Sequence, residues 1–121
     1  VTRGAGTRVE LRCPDPAANP YLVLAVCLEA GLDGIRNQIT PPDAVTENVF
    51  EMQLQQRAKL GIESLPGDLE QAVEELEKDD YIKSVLGGHI TEKYLEAKKA
   101  EWADYRAQVT EWEIEKYLYK I

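Results

Sequence analysis

Three patterns in this sequence predict a mainly α-helical chain with one short β-strand at its N-terminal end. Residues 7 to 12, Thr7-Arg8-Val9-Glu10-Leu11-Arg12, alternate polar and apolar with a period of two, as a half-buried strand does. Beyond Asn19, the periodic apolar residues recur at helical spacing. Helix-start signatures stand before these runs: Asn19-Pro20, Asp68 with Gln71, and Thr110 with Glu113.

Cys13-Pro14-Asp15-Pro16 ends the strand, because proline cannot continue a ladder and Asp-Pro favours a turn. Asn19 as N-cap and Pro20 at N1 open a helix predicted from Pro20 to about Gln38. Its spacing buries Leu22, Val23, Val26, Cys27, Ala30 and Ile35, which predicts a helix at the centre of the domain. Thr40 to Phe50 has no helical period and reads as an extended loop, with a short helix between Met52 and Leu60. Asp68 then begins a helix with Leu69, Val73 and Leu76 on one stripe, opposite Glu70, Glu74 and Glu77. Asp80 to Leu86 is a short helical piece closed by Gly87-Gly88. Leu95, Trp102, Tyr105 and Val109 fall on one side of a helix from about Ile90 to Gln108, with Trp102 and Tyr105 assigned to the core. A final helix follows the Thr110–Glu113 capping box and ends in Tyr117-Leu118-Tyr119. The expected organisation is a strand segment over residues 1–13 and a helical subdomain over 14–121.

Composition narrows the partners. The 121 residues carry 14 Lys+Arg against 22 Asp+Glu, a net charge of −8, concentrated in the second half. Such a surface repels polyanions, so nucleic acid is not expected as a partner. No basic amphipathic face suits anionic lipid, and the longest apolar stretch, Tyr21 to Leu28, is far below the roughly 20 residues of a membrane span. The start, Val1-Thr2-Arg3-Gly4, has neither Met nor an apolar leader, and it reads as the interior of a longer chain. Cys13 and Cys27 lack metal-ligand or CxxC spacing, so reduced thiols and a cytoplasmic location are expected.

The strand holds the candidate chemistry. A period of two places Arg8, Glu10 and Arg12 on one face, reading plus, minus, plus. Two guanidiniums flanking a carboxylate suit a metal-nucleotide, with the carboxylate as a hard oxygen ligand and the arginines on phosphoryl oxygens. An exposed strand face with cross-strand ion pairs is the plainer alternative. Gly4-Ala5-Gly6 leads into a strand rather than a helix, so a hairpin or loop is favoured over a phosphate loop. His89, the only histidine, has no Cys or carboxylate cluster near it in sequence. Trp112, Tyr117 and Tyr119 divide between core and a partner surface.

Arg8-Val9-Glu10-Leu11-Arg12, Pro14-Asp15-Pro16-Ala17-Ala18-Asn19-Pro20-Tyr21-Leu22 and Ala30-Gly31-Leu32-Asp33-Gly34-Ile35 together resemble the C-terminal part of the catalytic domain of type I glutamine synthetase. Gly61-Ile62-Glu63-Ser64-Leu65-Pro66, Glu101-Trp102 and Trp112-Glu113 extend the resemblance along the chain, in the short form found in Gram-positive bacteria and archaea. The resemblance implies ATP-dependent ligation of ammonia to glutamate through a γ-glutamyl phosphate, with Mg²⁺ or Mn²⁺, in a cytoplasmic two-ring dodecamer. It implies that Glu10 is a metal ligand, that Arg12 contacts the transferred phosphoryl group and the substrate carboxylate, and that Arg8 contacts ATP. Glu111 to Ile121 matches the family segment that reaches the opposite ring. Asn48-Val49-Phe50 stands where enteric-type members carry an adenylylated tyrosine, so adenylylation is expected to be absent. The remaining ligands and most of the nucleotide pocket belong to family segments preceding Val1, so the isolated chain is expected to be inactive. A γ-glutamyl-amine ligase of the same superfamily and a non-catalytic assembly module are the alternatives.

Overall fold

The computed structural model describes residues 4–118 and residue 120. Its helices are α1 (Pro20–Arg36), α2 (Leu54–Lys59), α3 (Leu69–Lys78), α4 (Asp80–Leu86), α5 (Gly88–Arg106) and α6 (Glu111–Glu113). The last continues as a π-helical segment, Ile114–Leu118. The chain is mainly helical, as its periodicity requires, and divides into two compact units, Val1–Ile39 and Thr40–Ile121.

In the first unit, Gly4 to Thr7 forms a turn in which the Thr7 amide donates to the Gly4 carbonyl at 3.0 Å. The Gly4 amide in return donates to Thr7 Oγ1 at 3.1 Å. The strand expected over Thr7 to Arg12 is not formed. The segment has no regular structure, and the described residues supply no second strand to complete a ladder.

Helix α1 starts where expected. The Asn19 side chain accepts the amides of Tyr21 at 3.0 Å and Leu22 at 3.4 Å, occupying two of the donors a helix start leaves free. It ends at Arg36, two residues before the predicted limit, in a Schellman motif: Ile39 N–H bonds the Gly34 carbonyl at 2.9 Å and Gln38 N–H bonds that of Ile35 at 3.2 Å. That motif needs a left-handed residue, and here it is Gln38, with φ at +51°. The predicted burial of α1 is not met. Leu22, Val23 and Val26 are half-buried, whereas Cys27, Ala30 and Ile35 are exposed. The cause is simple: among the described residues α1 is the only helix of its unit, so it has no second layer to pack against.

In the second unit α3, α4 and α5 pack on one another. Val73 and Met52 are its buried apolar side chains, with Thr91 the buried polar one. Leu69 and Leu76 flank Val73 as half-buried members of the predicted α3 stripe, and Glu70, Glu74 and Glu77 are exposed. The Asp68 cap accepts the Gln71 amide at 2.8 Å, while the Gln71 side chain reaches the Gly67 amide. Asp79 closes α3 and caps α4, accepting the Ile82 amide at 2.9 Å. Lys83 then ties three helices together: its ammonium donates to the Glu77 carbonyl and pairs with Asp80, and its own carbonyl accepts Thr91 Oγ1. On α5, Leu95 and Trp102 are half-buried, but Tyr105 is exposed, and so is Val109, which lies beyond the helix's end at Arg106. Tyr105 stacks on Trp102 at 5.8 Å instead of entering the core, because the side of α5 toward α3 carries Lys99 and Arg106, which pair with Glu77 and Glu70, and Tyr105 lies off that side.

Helix α2 ends in a second Schellman motif, with Gly61 at φ +66° in the left-handed position and Ile62 N–H bonding the Arg57 carbonyl at 2.9 Å. The predicted Thr110–Glu113 capping box is present: Glu113 N–H donates to Thr110 Oγ1 at 3.2 Å, and Thr110 N–H donates to Glu113 Oε2 at 2.8 Å. The terminal helix turns π-helical after Glu113 and sets Trp112 edge-on to Tyr117 at 5.8 Å. Tyr119 and Ile121, to which the sequence reading extended this helix, lie outside the described residues.

The two Schellman motifs predict opposite responses to substitution. Gln38→Gly relieves a left-handed side chain and raises unfolding stability by roughly 0.5–1 kcal/mol, while Gly61→Ala lowers it by about 1 kcal/mol, both measurable by urea titration. The capping box predicts an acid response. Its hydrogen bonds to the Thr110 amide and hydroxyl hold the Glu113 carboxyl below its ordinary value of 4.5. A lowered carboxylate contributes stability that is present above that ordinary value and is lost as pH falls through the native one. Protection of the Glu113 and Ile114 amides, taken as the intrinsic over the observed exchange rate at each pH, is therefore expected to be high at neutral pH and low at strongly acid pH, and Glu113→Ala makes it low at both.

Candidate active-site strip

Between the turn at Gly4–Thr7 and the N-terminal end of α1, residues 8–12 carry a charged side chain at every second position, Arg8, Glu10 and Arg12. The structure brings the three predicted residues together. Arg8 Nε and Nη2 both lie 2.6 Å from Glu10 Oε1, and Arg12 Nη2 lies 2.7 Å from Oε2. One carboxylate is thus held between two guanidiniums, each oxygen by a different arginine. Arg12, then Arg8, hold the Glu10 carboxyl below its ordinary value by favouring the charged form. Arg8 also reaches back to the Gly6 carbonyl at 3.4 Å.

This strip is open to solvent, with 67% of the Arg8, 41% of the Glu10 and 85% of the Arg12 side chain exposed. Pairs so placed are screened by salt and hold the fold weakly. They do set a defined charge pattern: two forked cations displayed beyond a central anion. Guanidinium forks match phosphate and carboxylate oxygens two bonds at a time. Val9 and Leu11, on the alternate positions, are also exposed, Val9 almost completely.

Glu10 is a hard oxygen donor of the kind Mg²⁺ and Mn²⁺ take, but a single carboxylate is not a cation site. Among the described residues no three His, Cys, Asp or Glu side chains converge to hold a metal. Glu10 therefore fits a metal as one ligand of a larger set. His89 is exposed, and Cys13 and Cys27 are exposed free thiols. Phe50 is fully exposed in a turn whose Asn48 side chain accepts the Phe50 amide.

The connection from the strip to α1 makes the turn that Asp15-Pro16 predicts. Asp15 accepts two amides, that of Ala17 on Oδ1 at 2.7 Å and that of Ala18 on its carbonyl at 2.9 Å. An Asp between two prolines, followed by small residues, is the composition of such an Asx turn.

The family model described as glutamine synthetase, catalytic domain, matches residues 1–117. The chain belongs to the glutamine synthetase catalytic-domain family. It is 53% identical over 120 residues to a glutamine synthetase of Clostridium saccharobutylicum, an alignment covering 99% of this chain and 27% of that protein. It is 53% identical over 117 residues to one of Thermotoga maritima, covering 97% and 27%. Against one of Methanocaldococcus jannaschii it is 51% identical over 118 residues, covering 98% and 26%. The chain thus spans about a quarter of the length of these curated relatives, all within the glutamine synthetase family. Among the described residues no helix is long and apolar enough to cross a membrane.

Proposed function

We propose that this chain is the C-terminal portion of a glutamine synthetase that ligates ammonia to glutamate at the expense of ATP, and that Arg8, Glu10 and Arg12 are its contribution to the active site. The observation that carries this reading is the clamped carboxylate, with one guanidinium on each oxygen of Glu10. Membership of the glutamine synthetase family supports it.

The chemistry needs two displacements. A γ-carboxylate oxygen of glutamate attacks the γ-phosphorus of ATP, the bond to the bridging oxygen breaks, and ADP leaves. Ammonia then attacks the carbonyl carbon of the γ-glutamyl phosphate, phosphate departs with the former carboxylate oxygen, and a proton is lost from nitrogen. In both steps negative charge shifts between oxygens, and preorganised cations lower the barrier where it accumulates. Arg12 binds the transferred phosphoryl group and the substrate carboxylate, and Arg8 binds the nucleotide phosphates. Glu10 would supply one oxygen to a Mg²⁺ or Mn²⁺ ion, which when bound offsets phosphate charge. The two arginines favour the charged form of Glu10 and hold its carboxylate between them.

In this reading the isolated chain does not turn over, because it spans about a quarter of the length of its glutamine synthetase relatives and among the described residues no three His, Cys, Asp or Glu side chains converge to hold a metal. The exposed apolar side of α1, with Tyr21, Leu24 and Leu28, suits a helix enclosed within a longer domain. The terminal segment suits a contact between subunits of a dodecamer: Trp112 and Tyr117 are exposed and rigidly paired. With Phe50 offering no oxygen to modify, control by adenylylation is absent.

Two measurements test the proposal. In the complete enzyme, glutamine formation from glutamate, ammonia and Mg-ATP is expected to fall at least about 100-fold in kcat/KM for Glu10→Ala, near 2.7 kcal/mol of transition-state stabilisation. An unimpaired variant removes Glu10 from the site, and activity with amines but not ammonia moves the substrate to a γ-glutamyl-amine ligase. Deleting residues 112–121 is expected to weaken stacking of the rings. A truncated enzyme that still sediments as a dodecamer contradicts that role.

A further inference from the structure

We infer that Asp15 is a positioning residue that acts through Arg12. The inference rests on the reading of Arg12 as a substrate-contacting group. Seven residues, Cys13 to Asn19, join Arg12 to the first turn of α1. Two of them, Pro14 and Pro16, have no amide hydrogen and a fixed φ, so few donors remain to hold the connection in shape. Asp15 collects two of those donors: Oδ1 takes the Ala17 amide at 2.7 Å, and the carbonyl takes that of Ala18 at 2.9 Å. Asn19 then takes over, its side chain accepting the Tyr21 and Leu22 amides and its carbonyl accepting Val23 N–H at 3.0 Å. The chain from Asp15 to α1 is therefore a run of local hydrogen bonds within one unit, and the Asp15 carboxylate, three residues after Arg12, is the side chain that closes its first turn.

The geometry assigns this turn to placement rather than to stability. Asp15, Ala17 and the Arg12 side chain are all exposed, so the turn encloses no core whose loss would unfold the unit. What it fixes is the direction in which the strip leaves the helix. Arg12 pairs with Glu10 on that strip, so its direction relative to α1 depends on this turn. Displacing a binding group by about 1 Å slows a reaction far more than the strength of its own hydrogen bonds would suggest.

The test is a double-substitution cycle in the complete enzyme, reading kcat and the KM for glutamate beside the thermal midpoint. Asp15→Ala is expected to lose about tenfold or more in kcat/KM for glutamate with the midpoint unchanged. In an Arg12→Ala background the same substitution is expected to cost nothing further, because a residue acting through Arg12 has nothing left to position. Asp15→Asn keeps an acceptor at the same reach and retains activity. Asp15→Gln keeps the polarity but is one methylene too long for the turn, and is impaired like alanine; it stands in if Asp15→Ala does not assemble. A loss that adds in full to that of Arg12→Ala, an active Asp15→Gln, or an impaired Asp15→Asn overturns the inference. A fully active Arg12→Ala enzyme overturns the reading of Arg12 itself.

Discussion

Backbone groups at helix ends must find partners, and in this chain neighbouring residues supply them locally. Asn19, Asp68, Asp79 and Thr110 each accept amides at a helix start, and Gln38 and Gly61 turn the chain left-handed so that the final carbonyls of α1 and α2 are bonded. Burial does less, since Met52 and Val73 are the buried apolar side chains among the described residues. Where helices do pack, polar groups contribute as well, since Lys83 joins the end of α3 to α4 and α5 through one ammonium and one carbonyl. The connection from the candidate strip to α1 uses the same device, with the Asp15 turn followed by the Asn19 cap.

The strip owes its arrangement to local spacing. Arg8 and Arg12 each stand two residues from Glu10, and their long side chains reach its carboxylate with no tertiary contact required. In the function proposed above, such a face meets ATP, a metal ion and glutamate together. The two arginines serve twice in that proposal, first by holding the Glu10 carboxylate between them and then as forks for phosphate and carboxylate oxygens.

Much of this was legible in the sequence, and the reasons differ by element. The start of α1 and the terminal capping box follow from short-range chemistry, Asn before Pro and Thr three residues before Glu, and both stand where that chemistry places them. The grouping of Arg8, Glu10 and Arg12 followed from period two alone. Burial was not legible in the same way: Ile35 and Tyr105 have the spacing of core residues but are exposed, since burial depends on a neighbouring layer that periodicity does not supply. The strand at Thr7–Arg12 failed for a related reason, because its alternation is right but no partner strand is present among the described residues. The left-handed Gln38 and the π-helical end after Glu113 carry no compositional signal, as neither replaces a residue that would have barred the regular form.

The most direct test of the central claim, that Glu10 serves the metal-nucleotide, is the Mg²⁺ dependence of ATP binding to the complete enzyme, measured by calorimetry beside Glu10→Gln. That variant keeps the shape of the side chain and removes its charge. The account predicts that it needs at least about tenfold more Mg²⁺ to reach the same ATP affinity. An unchanged Mg²⁺ dependence would contradict it.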